Sequence, residues 1–126
     1  MFKRIDHVEI VSGNIQRSID FYTGILNFKI KAREKTDAPQ IEEIVYLELG
    51  NTVIELLSVK NPRPASKEQC QIGYRLIALE VEDMDSAIKY LKGKGVEITW
   101  GPAILGNSKR AEIRDPDGLG IELRQW

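Results

Sequence analysis

The sequence predicts an α+β fold built from two tandem modules, each with the element order β-α-β-β-β. The first observation is a repeated phrase, because TVIELL (52–57) and LGIELR (119–124) each follow a turn. The second is a longer repeat, in which DHVEIVSGNIQRSIDFY (6–22) aligns with RLIALEVEDMDSAIKYL (75–91) at a spacing of 69 residues. An internal repeat indicates copies of one unit. Neither copy could bury its sheet face alone, so the two are expected to form one structure.

Composition places the chain among ordinary globular proteins. Its 126 residues predict a single domain (1–126), with a first module at about 1–59, a linker at about 60–73 and a second module at about 74–126. A net charge of −1 indicates no nucleic-acid or membrane partner. The single cysteine, Cys70, excludes an intramolecular disulfide. The start, MFKRIDHVEI, reads as a strand rather than a signal peptide, so we expect a cytoplasmic location.

The first module begins with a strand at residues 4–11, where polar and apolar side chains alternate. Asn14 can cap the following helix by accepting a backbone N–H bond, and Asn27 is a plausible helix stop. The helix carries one apolar stripe, formed by Ile15, Ile19, Tyr22 and Leu26. FKIKARE (28–34) predicts the second strand, and TDAPQ (36–40) predicts a loop.

A hairpin completes the first module. IVYLEL (44–49) and TVIELL (52–57) flank Gly50-Asn51, a two-residue hairpin signal. If Leu49 pairs with Thr52, Tyr46 lies opposite Glu55 and shares its face of the sheet.

The second module repeats this order. A strand is predicted near Tyr74 to Val81, and Asp83 is the predicted helix cap. Met84, Ala87, Ile88 and Leu91 form the apolar stripe of the helix, which Gly93 and Gly95 end. VEITW (96–100) predicts a strand and GPAILGNS (101–108) a loop. KRAEIR (109–114) and GIELRQ (120–125) predict the last hairpin.

Five segments together resemble the vicinal oxygen chelate superfamily. They are IDHVEI, SIDFYTGILNF, LGNTVIELL, IALEVEDMDSAI and RDPDGLGIEL, and they span nearly the whole chain. This group includes glyoxalase I, methylmalonyl-CoA epimerase, extradiol dioxygenases and the fosfomycin and bleomycin resistance proteins. The resemblance implies a curved, barrel-like mixed sheet around a cavity, and a homodimer. It also implies metal ligands from the first and last strand of each module, at His7, Glu55, Leu76 and Glu122 of this chain.

The donor set decides which activities of that group fit. Leucine cannot ligate a metal, so the dioxygenase and fosfomycin patterns lose a required ligand at Leu76. His7, Glu55 and Glu122 form a mixed nitrogen and oxygen set that suits Zn, Ni, Mn, Co or Fe. A metal there would polarise a carbonyl, and Glu55 or Glu122 could move a proton at the adjacent carbon. The leading expectation is therefore a metal-dependent lyase or isomerase resembling glyoxalase I, with an epimerase or a dioxygenase as further alternatives.

A metal-free site is the main competing interpretation. Arginines could neutralise the glutamates instead of a metal, because Arg124 shares a strand face with Glu122 and Arg110 and Arg114 lie on the preceding strand. The protein would then bind or sequester a small molecule, as bleomycin resistance proteins do. In either case the side chains expected to line the pocket are Glu9, Tyr46, Leu76, Trp100, Arg110 and Arg124.

Overall fold

The computed structural model describes all 126 residues, in two compact units, Met1–Pro64 and Ala65–Trp126. Each unit has the order β-α-β-β-β, which confirms the predicted α+β fold of two tandem modules. The elements are β1 Val8–Ser12, α1 Ile15–Gly24, β2 Lys29–Lys35, β3 Ile41–Leu49, β4 Thr52–Val59, β5 Ile77–Glu80, α2 Met84–Gly93, β6 Trp100–Leu105, β7 Ser108–Arg114 and β8 Gly120–Gln125. Neither helix is long and apolar enough to cross a membrane.

Each unit contains a four-stranded mixed sheet with the same topology. The strand order is β1-β4-β3-β2 in the first unit and β5-β8-β7-β6 in the second. The first and last strands of each module, β1 with β4 and β5 with β8, run parallel, and the remaining pairs are antiparallel. The helix that follows the first strand of each module crosses from one edge of the sheet to the other, from β1 to β2 and from β5 to β6. Strands that run in the same direction need such a crossover connection.

Both helices begin at the predicted caps. The Asn14 side chain accepts a hydrogen bond from the Arg17 backbone N–H at 3.0 Å. The Asp83 carboxylate accepts one from the Ser86 N–H at 2.9 Å. Each cap satisfies one of the amide groups that a helix N-terminus leaves without an intrahelical partner.

The helix packs on one face of each sheet. The opposite face, which we call the polar face, carries Glu9, Tyr46 and Glu55 beside the apolar Leu57 in the first unit, and Glu112, Glu122 and Arg124 in the second. In the first unit the core is formed by Ile10, Ile19, Phe21, Tyr22, Phe28, Val45, Leu47, Ile54, Leu56 and Leu57. Tyr22 is 1% exposed and meets Phe21 and Phe28 edge to face, the preferred geometry of aromatic pairs. In the second unit the core is formed by Met84, Ile88, Leu91, Ala111, Ile113, Ile121 and Leu123.

Strand register repeats between the modules and matches the spacing seen in the sequence. Glu9 pairs with Glu55 across β1 and β4, and Ala78 pairs with Glu122 across β5 and β8. On the other side of β4, Tyr46 lies opposite Glu55, as the hairpin prediction required. The repeat therefore extends from sequence to individual residue pairs.

The predicted strand at 96–100 and loop at 101–108 are wrong. The strand is β6, residues 100–105, and it joins β7 through a turn at Gly106-Asn107. Glycine and proline at positions 101 and 102 favoured a loop, but a register shift between Trp100 and Ala103 accommodates them within the strand. Gly101 has a φ of 78°, and a Cβ there would lie 2.6 Å from a backbone oxygen of β7. The first strands of the two modules are also shorter than predicted, beginning at Val8 and Ile77.

The two caps give a matched test of helix stability. Replacing Asn14 with alanine should lower the free energy of unfolding by about 1 kcal/mol at every pH. Replacing Asp83 with alanine should destabilise the protein only where Asp83 is ionised. Hydrogen bonds from the Ser86 side chain and backbone hold the pKa of Asp83 below its ordinary value of 3.8. Its contribution is therefore complete above that value and is lost as the pH falls through the lower pKa of the folded state.

Thermal unfolding followed by circular dichroism between pH 7 and pH 2.5 checks this difference. The gap in Tm between wild type and Asp83→Ala should narrow at the acidic end, whereas the gap for Asn14→Ala should stay constant. Parallel behaviour of the two variants would refute the assignment of Asp83 as a charged cap.

Candidate functional site

Three potential metal ligands meet on the polar face of the first unit, and we call them the first-module cluster: His7, Glu9 and Glu55. His7 immediately precedes β1, Glu9 lies on β1, and Glu55 lies on the adjacent strand β4. Alternation along β1 and the Glu9–Glu55 pairing place all three side chains on one face. His7 Nε2 lies 2.9 Å from Glu55 Oε2 and 3.8 Å from Glu9 Oε1.

Burial and neighbouring charges shift the pKa values of Glu55 and His7 in this cluster. Glu55 is 7% exposed, and burial raises its pKa above 4.5, an effect that the His7 charge opposes and the Glu9 charge reinforces. His7 Nδ1 contacts Asp6 Oδ2 at 2.9 Å. That hydrogen bond raises the pKa of His7 above 6.5, and the charges of Glu55, Asp6 and Glu9 act in the same direction against a smaller opposing effect of desolvation.

The donor set of the first-module cluster fits a divalent cation. One atom from each residue can be chosen so that all three lie within 4.8 Å of one another. Two ligands at about 2.1 Å from a tetrahedral ion lie roughly 3.4 Å apart, and the distances of 2.9 and 3.8 Å bracket that value. One imidazole and two carboxylates suit Zn and its first-row neighbours.

Tyr46 adds a hydroxyl group to the same face. It is half-buried on β3 opposite Glu55, and its hydroxyl donates a hydrogen bond to Glu34 at 3.2 Å. Burial, followed by the charge of Glu34, raises the pKa of Tyr46 above 10.0. The phenol is therefore a neutral hydrogen-bonding group beside the cluster at physiological pH.

The corresponding glutamates of the second unit are paired with arginines. Arg124 Nε donates to Glu122 at 2.6 Å. Glu112, opposite Glu122 in the β7–β8 pairing, accepts from Arg75 at 2.8 Å. Both Glu122 and Glu112 thus have a guanidinium partner of their own.

The other residues expected at the pocket also lie on strands of the second unit or beside them. Arg110 lies opposite Arg124, and its Nε donates to Ser108 Oγ at 3.0 Å. Trp100 lies opposite Glu112 on the edge strand and is 45% exposed. Leu76 precedes β5 and is half-buried.

Position 76 faces the same side of the sheet as Glu122. A Cβ added to Gly120, two residues before Glu122, would lie 3.4 Å from the Leu76 Cβ. Residues two apart on a strand share a face. Leu76 therefore stands to Glu122 as His7 stands to Glu55.

Sequence reasoning missed three contributors to these faces. Asp6 binds His7 from the preceding position, and Arg75 binds Glu112 across 37 residues. Glu112 is not among the residues expected at the site, yet its side chain is only 16% exposed. Its place opposite Glu122 follows from the predicted last hairpin, so that pairing could have been found from the turn at 115–118.

Comparison with known proteins identifies the family. The model of the Glyoxalase/Bleomycin resistance protein/Dioxygenase superfamily matches residues 4–123. The uncharacterized protein YaeR of Escherichia coli K12 is 32% identical over 124 residues, covering 96% of this chain and 95% of YaeR. A lactoylglutathione lyase of Neisseria meningitidis serogroup A is 30% identical over 131 residues, covering 97% and 90% of the two chains. The solved structure of the trypanothione-dependent glyoxalase I of Leishmania major is 28% identical to this chain and superposes with a TM-score of 0.80. The match covers 98% of this chain and 87% of the Leishmania chain.

The register at position 76 generates a test by substitution. Leu76→His should place an imidazole beside Glu122 and raise metal affinity by an order of magnitude or more, because neutral imidazole suits the same metals. The gain should be larger above pH ~6.5, since protonated imidazole cannot ligate. Calorimetric titration of Zn into wild type and Leu76→His measures the change.

The matched control is Leu76→Gln, because glutamine is polar like histidine but is a weaker metal ligand. If Leu76 instead packs against an apolar ligand, both variants should leave metal affinity flat and weaken ligand binding. Unchanged metal affinity in Leu76→His would contradict the expected role of position 76 at a metal site.

Proposed function

Because the chain belongs to the Glyoxalase/Bleomycin resistance protein/Dioxygenase superfamily, we propose that it is a metal-dependent lyase or isomerase resembling glyoxalase I. The contact between His7 Nε2 and Glu55 Oε2 at 2.9 Å is the observation that carries this proposal. Both residues stand at the positions where the resemblance places metal ligands. The lactoylglutathione lyase at 30% identity supports the same reaction class. The substrate is a small molecule, and the resemblance favours a homodimer.

His7 and Glu55 would hold the divalent ion, and Glu122 is the ligand position that the family pattern implies in the second unit. The ion, when bound, polarises a carbonyl oxygen of the substrate and so acidifies the neighbouring C–H bond. His7 is oriented for this role because its other ring nitrogen contacts Asp6 at 2.9 Å. A carboxylate partner on the second nitrogen fixes the ring orientation of a metal-binding histidine.

The glutamates supply the proton-transfer group. Burial raises the pKa of Glu55, which moves this carboxylate toward the range of an effective general base near neutral pH. In a substrate with a hydroxyl beside its carbonyl, a carboxylate oxygen of Glu55 would take the C–H proton from the hydroxyl-bearing carbon and return it to the carbonyl carbon. The hydroxyl proton would move to the former carbonyl oxygen, so that the two carbons exchange carbonyl and hydroxyl groups. Glu122 is the second candidate for this step, and Arg124 orients its carboxylate through the 2.6 Å hydrogen bond.

A metal-free binding protein is the second candidate function. The observation that favours it is the pairing of Glu122 with Arg124 and of Glu112 with Arg75. Arginine pairs make these carboxylates compatible with a partly buried face without a metal. Such a protein would bind a small molecule through the polar sheet faces and catalyse no reaction.

Metal content and lyase activity distinguish these functions. Untagged protein incubated with Zn, Ni, Mn, Co or Fe(II) should retain one divalent ion and act on lactoylglutathione. Glu55→Gln should lower kcat/KM by about 100-fold or more, because it removes a general base and a charged ligand. Glu43→Gln is the matched control, since Glu43 pairs with Arg33 at 2.8 Å elsewhere in the first unit.

Circular dichroism of each variant separates loss of activity from loss of folding. Metal at background after all five incubations, together with absent activity, would eliminate the enzyme in favour of the binding protein.

A further inference from the structure

We propose that Glu9 is a metal ligand, so that the first-module cluster supplies three donors from one unit. Glu9 then supplies a donor that Ala78, its equivalent in the second module, cannot supply. This inference rests on the proposed metal-dependent function and extends it to a residue outside the four positions that the family resemblance implies.

The two modules differ at two equivalent positions at the start of the first strand, one just before it and one within it. Where the first module has His7 and Glu9, the second has Leu76 and Ala78, and neither of these side chains can ligate a metal. The strand register makes the comparison direct, because Glu9 pairs with Glu55 as Ala78 pairs with Glu122. These two positions therefore carry two ligating side chains in the first module and none in the second.

The modules also neutralise their glutamates differently. In the second unit, Glu122 and Glu112 each have an arginine, at 2.6 and 2.8 Å. In the first unit, Glu9 and Glu55 share the single imidazole of His7. Two neighbouring carboxylates repel each other, and Glu55 is largely withdrawn from water. A divalent cation between them removes this repulsion and uses the imidazole nitrogen as its third ligand.

The orientation of the histidine ring agrees with this site. Asp6 contacts Nδ1, and Nε2 therefore faces Glu55 and Glu9. The Glu9 side chain is 54% exposed, so one side of the cluster opens to solvent. That opening leaves room for a water molecule or a substrate oxygen in the remaining coordination position.

The experiment uses the full-length chain and Zn as the probe. His7 is the only histidine, so the ring ¹⁵N signals in a two-dimensional NMR titration report on this site without ambiguity. Zn should shift the Nε2 signal of wild type. Glu9→Gln should weaken Zn affinity at least about tenfold, since a charged ligand is lost. Glu9→Asp, which keeps the carboxylate, should retain more affinity than Glu9→Gln.

Glu43→Gln is the control and should bind Zn within twofold of wild type. Circular dichroism checks that each variant is folded. We expect the Glu9 variants to fold, because the Glu9 side chain is largely exposed. If Glu9→Gln binds Zn like wild type while Glu55→Gln loses it, Glu9 is not a ligand and the proposed function stands. If Zn leaves the His7 signals of wild type unchanged, the metal-dependent function fails and the role of Glu9 fails with it.

Discussion

The parallel pairing of the first and last strand within each module determines which side chains can act together. It brings β1 against β4 and β5 against β8, although dozens of residues separate these strands in the sequence. A parallel register fixes both the partner and the face of every residue, because a slip of one position would turn each side chain to the opposite side. Glu9 and Glu55 meet on the polar face only in this register. The apolar residues on the other face enforce it by packing against the helix.

The same scaffold holds two different electrostatic solutions. A carboxylate on a half-buried sheet face needs a counter-charge or a proton. The second unit provides guanidinium groups on neighbouring strand positions, and these are permanently charged. The first unit provides the imidazole of His7, held between Asp6 and Glu55. A neutral imidazole can also ligate a metal. The repeat thus preserves backbone geometry while the charged side chains have diverged, as expected when one fold carries different functional groups.

The sequence predicted the elements whose signals are local and periodic. Both helices and both caps follow from apolar stripes and from Asn14 and Asp83, and the first hairpin follows from Gly50-Asn51. The strand at 100–105 was missed because glycine and proline usually interrupt a strand, and only the tertiary pairing with β7 shows that a bulge absorbs them. Gly106-Asn107 repeats the turn chemistry of the first hairpin and was the available signal.

Site prediction was limited by long-range contacts. The family resemblance singled out His7 and Glu55, and the structure brings their side chains to 2.9 Å. The repeat contributed because it reports equivalent positions without knowledge of distance. It could not show that Arg75 reaches Glu112, since such an ion pair leaves no periodic signature. Nor could it show that Glu9 lies close to His7. Alternation places Glu9 on the same face as His7, but the distance between Glu9 Oε1 and His7 Nε2 depends on side-chain rotamers. Residues that act through side-chain geometry are therefore the part of a site that the fold must supply.

The difference between the units bears on how catalysis could divide between the glutamates. A general base must be free to accept a proton, whereas a group fixed by an arginine is better suited to bind and orient. Burial raises the pKa of Glu55, and His7 is its close partner. Protonation of the Glu55 carboxylate therefore depends on the charge of the His7 imidazole. Glu122 has a hydrogen bond from Arg124 that a proton would weaken. The geometry thus favours Glu55 for proton transfer and Glu122 for a static role in the proposed reaction.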